Sequence, residues 1–192
     1  MGLDMYLYRA TKKDFADRKN FYTKENAFYK KWNDILGGFP VKDNGWEIDE
    51  SRLTESQKTD YTNFLREQKV LEDGKPAIVE SPEIFYWRKF NALHGFIVDT
   101  FANGVDECQT IEIGKAGVAK IVSALRETAR MLKAKHGFDP TKLPVKPVGG
   151  FFFGSTEIDD YYKRNIEEAL KMFDNLLASL SDEETVFYEA SW

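Results

Sequence analysis

The sequence predicts an α+β fold, with an antiparallel sheet, helices packed on it and a helical insertion. Three observations predict it. Both ends of the chain, 3–9 and 185–192, are rich in the aromatic and aliphatic residues that favour strands. Three long segments after residue 80 repeat apolar residues at helical spacing. Residues 12–80 instead interleave Lys, Asp and Asn with aromatics, which marks them as an insertion or flap. At 192 residues the chain suits a single domain, 1–192, able to bury a core of its own.

The elements follow in order. In strand 3–9, Leu3, Met5 and Leu7 share one face, and Asp4, Tyr6 and Tyr8 the other. Phe28, Trp32 and Ile35 suggest a helix over 23–36, ended by Gly37-Gly38-Phe39-Pro40. Residues 53–71 read as an amphipathic helix with a narrow apolar stripe of Tyr61, Phe64, Leu65 and Leu71. Ser81-Pro82 reads as the cap and first turn of a helix over 83–102. On it Tyr86, Phe90, Leu93, Ile97 and Phe101 make one stripe, and Trp87, Asn91, His94 and Val98 an adjacent one. A short strand is expected at 110–113 and a helix at 117–135, with Val118, Ile121, Val122, Leu125, Ala129 and Leu132 facing the core. Pro140, Pro144 and Pro147 predict an ordered extended loop. Phe151-Phe152-Phe153, bracketed by glycines, predicts a strand over 150–153. A helix over 157–180 follows, capped from Ser155 or Thr156, with Glu157, Asp159 and Asp160 in its first turn. The C-terminal strand, 184–192, carries Trp192, which is expected to dock.

Composition excludes several classes. Hydrophobic residues are 42% and charged residues 31%, and no apolar run approaches the length of a membrane span. Asp4 interrupts any signal-peptide pattern, and the single Cys108 rules out an internal disulfide framework and fits a reducing compartment. A net charge of −5 without a basic stripe argues against general nucleic-acid binding, and no membrane partner is expected. Cys108, His94 and His136 lack zinc spacing, and the acidic clusters read as solvated turns, so neither metal nor cofactor is expected. The remaining peculiarity is an aromatic content of 15%.

The candidate chemistry lies in two places. Gly154-Ser155-Thr156 before a helix can offer backbone amides to an anion, or can simply cap the helix. Arg88, Asn91, His94 and Trp87 together would suit an anionic, ring-containing ligand, or form a satisfied core network beside a surface arginine. No nucleophile with a base beside it is legible, so no catalytic residue is assigned.

The set Met1-Gly2-Leu3-Asp4-Met5-Tyr6-Leu7, Tyr86-Trp87-Arg88-Lys89 with Asn91 and His94, Gly150-Phe151-Phe152-Phe153-Gly154-Ser155-Thr156 with Asp159 and Tyr161-Tyr162, and Tyr188 with Ser191-Trp192 resembles a family of small bacteriophage and prophage proteins. The resemblance covers both ends and the centre but not 12–80, and Gly95-Phe96 stands where the family has tryptophan. It implies a phage-borne accessory protein acting in the bacterial cytoplasm, and brings no assigned activity. The leading expectation is a non-enzymatic binding protein, such as a host-defence antagonist that holds a small anionic or nucleotide-like ligand. Its expected site is Asp4, Tyr6, Trp87, Arg88, Asn91, His94, Ser155 and Thr156. The alternatives are a small nucleotide-directed hydrolase with Asp4 or His94 as base, and an inhibitor that binds a host protein through 12–80.

Overall fold

The computed structural model describes residues 2–36, 49–67, 81–134, 137–150 and 153–192. The chain is α+β. It forms two compact units, one of residues 1–12 and 81–192, the other of residues 13–80 between them in sequence.

The first unit is built on a four-stranded antiparallel sheet in the order β2-β1-β4-β3. Strand β1 (Asp4–Thr11) is central, flanked by β2 (Glu83–Arg88) and β4 (Glu184–Ser191), and β3 (Ile111–Glu112) extends the far edge. The two ends of the chain pair along their length, from Asp4↔Ser191 to Thr11↔Glu184. Alternation along β1 drives Leu3, Met5 and Leu7 to full burial on one face. Val186, Tyr188 and Ala190 of β4 join them there, because register sets Met5 beside Ala190 and Leu7 beside Tyr188.

Three helices cover that face: α3 (Asn91–Phe101), α4 (Gly114–Leu132) and α5 (Asp160–Ser179). Helix α3 turns Leu93 and Ile97 inward, α4 Val118, Ile121 and Leu125, and α5 Ile166, Ala169 and Phe173, all into one core. The proline-bearing segment before α5 is ordered, as expected. Val145 is fully buried; its amide donates to Thr128 Oγ1 at 3.1 Å, and its carbonyl accepts the Tyr162 hydroxyl.

The second unit holds most of α1 (Lys12–Leu36), a 3-10 turn at Glu50–Arg52 and α2 (Glu55–Glu67). A capping box starts α2: Gln57 N donates to Thr54 Oγ1, and Thr54 N donates to Gln57 Oε1. Phe15, Phe21 and Leu53 are buried. The expected helix 23–36 is the later part of α1, which begins eleven residues earlier; the expected helix 53–71 contains α2 but starts two residues too soon, at Leu53 and Thr54, and 68–71 lie outside the described residues.

Two expectations change. Residues 83–102 are not one helix but strand β2 followed by α3, joined through Lys89 and Phe90. Ile84-Phe85-Tyr86-Trp87 is a run of strand formers with apolar side chains on both strand faces, so its spacing imitates a helical stripe. Pro82 precedes an edge strand, where its missing N–H costs no ladder bond. The expected strand at 150–153 is also absent where described: Phe153 lies in a turn closed by its amide on Gly150 O, while Phe151 and Phe152 lie outside the described residues. The fourth strand of the sheet is β2 instead.

Candidate functional site

The junction between β2 and α3 is irregular. Lys89 takes φ +57°, a left-handed conformation that costs a non-glycine residue about 1–2 kcal/mol. The conformation is held: the Lys89 amide donates to Leu3 O at 2.7 Å, and the Tyr161 hydroxyl donates to Arg88 O at 2.8 Å. Residues in such conformations persist where the surroundings over-determine them, and they concentrate at binding sites. Opposite the junction, Gly154 has φ +88°, and a Cβ there would lie 3.4 Å from Lys89 Cβ.

Between these two segments and the start of α5 lies a cleft of about 200 Å³. Arg88, Lys89 and Asn91 line it from the junction, and Ser155, Glu157 and Asp159 from the segment before α5. Helix α5 itself contributes Tyr161, Tyr162 and Asn165. Asp159, not Ser155 or Thr156, caps α5, through its Oδ1 and the amide of Tyr162 at 2.8 Å. Ser155 Oγ instead accepts the amide of Glu157 and closes a local turn before the helix begins.

Asn165 stands apart in this cleft. It is 7% exposed, it lines the cleft, and its Nδ2 finds no hydrogen-bond acceptor among the described residues. An unpaired buried amide donor costs about 1–3 kcal/mol, and a ligand acceptor would relieve that cost. Near it are two cations. Arg88 is 55% exposed and only loosely held, with Nη1 at 3.4 Å from Asp4 Oδ1. Lys89 has no ion-pair partner among the described residues.

The expected site residues divide. Arg88, Asn91 and Ser155 meet in the cleft. Asn91, however, is committed to structure: its Nδ2 donates to Phe153 O and Ser155 O at 3.0 and 2.8 Å, and its Oδ1 accepts Val148 N. It holds the cleft wall in place. Asp4 sits beside the cleft, accepting from Tyr86 OH and Arg88, and the bond to its carboxylate raises the Tyr86 phenol above its ordinary pKa. Tyr6 lies on the sheet face turned away from α3–α5, against Tyr86 at 5.4 Å, and does not line the cleft. Thr156 is exposed and does not line it either.

Trp87 and His94 are core residues. Trp87 is 4% exposed, between Phe85 and Phe173 at 4.3 and 6.0 Å, because odd positions of β2 face the helices. It therefore shares no helical stripe with Asn91 and His94. His94 is 1% exposed, with Nδ1 at 2.7 Å from Tyr188 OH and Nε2 at 2.9 Å from Asp106 Oδ2. Trp192 docks on the same group, its Nε1 donating to Asp106 Oδ1 and its ring meeting Phe153 edge-on at 6.0 Å. Burial, first, and the charge of Asp106 push the Tyr188 hydroxyl well above its ordinary pKa, so it stays protonated and bonded.

Gly95 has a packing reason. A Cβ there would fall 2.7 Å from Val148 Cγ1, so only glycine lets α3 approach the 148 segment without a shift.

Lys89, Tyr161 and Asn165 were not singled out as ligand contacts from sequence. Asn165 had a readable signal, a polar residue at a core position of α5 between Tyr162 and Ala169. Tyr161, 46% exposed, lines the cleft, which neither Trp87 nor Tyr6 does.

Among the described residues, no group of three metal-ligating side chains occurs and no helix is long and apolar enough to cross a membrane. No protein-family model, no curated protein and no solved structure matches this chain.

Proposed function

We propose that the protein is a non-enzymatic binding protein that holds a small anionic, nucleotide-like ligand in the cleft between the β2–α3 junction and α5. The carrying observation is the amide of Asn165, without a partner among the described residues and buried in a cleft bordered by two under-used cations, Arg88 and Lys89. A guanidinium and an ammonium attract an anion, a neutral amide donor fixes its orientation, and the half-exposed ring of Tyr161, which carries the Arg164 guanidinium over it at 5.5 Å, is the aromatic group at the rim.

The hydrolase reading has less support. His94 has both ring nitrogens engaged and lies buried away from the cleft, and Asp4 is occupied by Tyr86 and Arg88. Neither is placed to take a proton from a bound substrate. The resemblance to small phage proteins supplies the biological context of the proposal: a phage-borne accessory protein in the bacterial cytoplasm that sequesters a small anionic signal of host defence.

The test is a mass spectrum of small molecules released from protein purified out of infected cells, beside the Arg88→Ala protein. A phosphate-bearing or carboxylate-bearing molecule released from the wild type and lost from Arg88→Ala supports the reading. No released anion, together with no binding of added nucleoside monophosphates, refutes it.

A further inference from the structure

The charges around the cleft are not those of a simple anion site. Arg88 and Lys89 lie on one wall and Glu157 and Asp159 on the other, two of each sign. They do not neutralise one another. Arg88 leans toward Asp4, and neither Lys89 nor Glu157 has an ion-pair partner among the described residues. Asp159 uses one carboxylate oxygen for the amide of Tyr162, which leaves the other without a partner among the described residues. Two carboxylates beside an anion would weaken its binding, because like charges repel at close range. They strengthen it if the ligand presents a cation to them.

On the reading of the cleft as an anion site, we infer that its ligand is a zwitterion, with an anionic end held by Arg88 and Lys89 and an ammonium end held by Glu157 and Asp159. The buried Asn165 amide would donate to an acceptor between them. A separated pair of opposite charges matches a dipolar ligand along its length and discriminates against both a bare anion and a bare cation.

The two probes that isolate the point are 3-aminopropylphosphonate and propylphosphonate, which differ by the terminal ammonium. Calorimetric titration of the wild-type protein is expected to give at least about tenfold tighter binding of the aminated probe, the size of one well-placed charged hydrogen bond. In the double variant Glu157→Gln, Asp159→Asn the ratio is expected to fall to near unity. Asparagine caps a helix as well as aspartate, so α5 keeps its start, and circular dichroism verifies it. Equal affinities in the wild type overturn the zwitterion and leave the anion site standing. A preference that survives in the folded double variant also overturns it, because the ammonium is then read elsewhere. Failure of both probes to bind overturns the zwitterion and the anion site together.

Discussion

At the scale of one residue, Asn165 and Trp87 each bury a donor with no partner among the described residues, and of the two only Asn165 lines the cleft. Its neighbours on α5 are Ile166 and Ala169, both fully buried, so the helix could have placed a leucine there. An amide without a partner is retained at a cost to the free protein. Asn165→Leu, close in size, is therefore expected to raise the melting temperature, by the equivalent of about 1 kcal/mol, and to weaken anion binding by up to about tenfold. Thermal melts beside phosphate titrations measure both. A leucine variant that is less stable would mean that the amide is satisfied in the native protein. Asn91 behaves oppositely, since its three hydrogen bonds fasten Val148, Phe153 and Ser155 to the start of α3. Asn91→Ala strands those backbone groups and is expected to cost about 2–3 kcal/mol in chemical denaturation. A loss under half a kcal/mol, the scale of about RT, would show the wall to be held by other contacts.

At the scale of elements, the helices α4 and α5 and the strands at the two ends of the chain were legible because their patterns have a single period. The α5 stripe of Tyr162, Ile166, Ala169 and Phe173 admits only a helix, and Leu3-Asp4-Met5-Tyr6-Leu7 only a strand. Strand β2 was not legible, since Ile84 and Tyr86 are as apolar as Phe85 and Trp87, and period two disappears when both faces are aromatic. The cleft inherited that error. Reading 83–102 as a helix put Trp87 beside Asn91, whereas the strand sends Trp87 into the core and presents Arg88 at the junction. Trp192 was expected to dock, and it does so while 40% exposed. Removing Ser191 and Trp192 is accordingly expected to cost about 1–2 kcal/mol, less than a fully buried tryptophan would, and to lower the melting temperature by a few degrees. An unchanged melt would show that the indole contributes nothing. The His94 bond to Tyr188 adds a second check on the same layer: Tyr188→Phe is expected to cost about 1 kcal/mol, read from denaturant midpoints, through the lost partner of Nδ1.

At the scale of the whole molecule, the sheet is closed by the two ends of the chain, and the tie at its far end is ionic. Arg9 and Glu184 form two charge-assisted bonds, at 2.8 and 2.6 Å, across the β1–β4 pair. The Arg9 guanidinium first, then the amide and hydroxyl of Ser181, lower the Glu184 carboxyl from its ordinary 4.5 to about 2. Its folded pKa lies below its unfolded one, so its contribution is complete above 4.5 and is lost as pH falls toward about 2. Melting temperatures across that window should fall more steeply for the wild type than for Glu184→Gln; parallel curves would contradict the assignment. The central claim concerns the cleft, and nuclear magnetic resonance of the labelled protein during titration with adenosine monophosphate tests it most directly. The account predicts saturable shifts of the Asn165 side-chain amide and of the Arg88, Lys89 and Ser155 backbone amides, with His94 and Trp87 unmoved. A spectrum in which those four signals stay still as the nucleotide is added would contradict it.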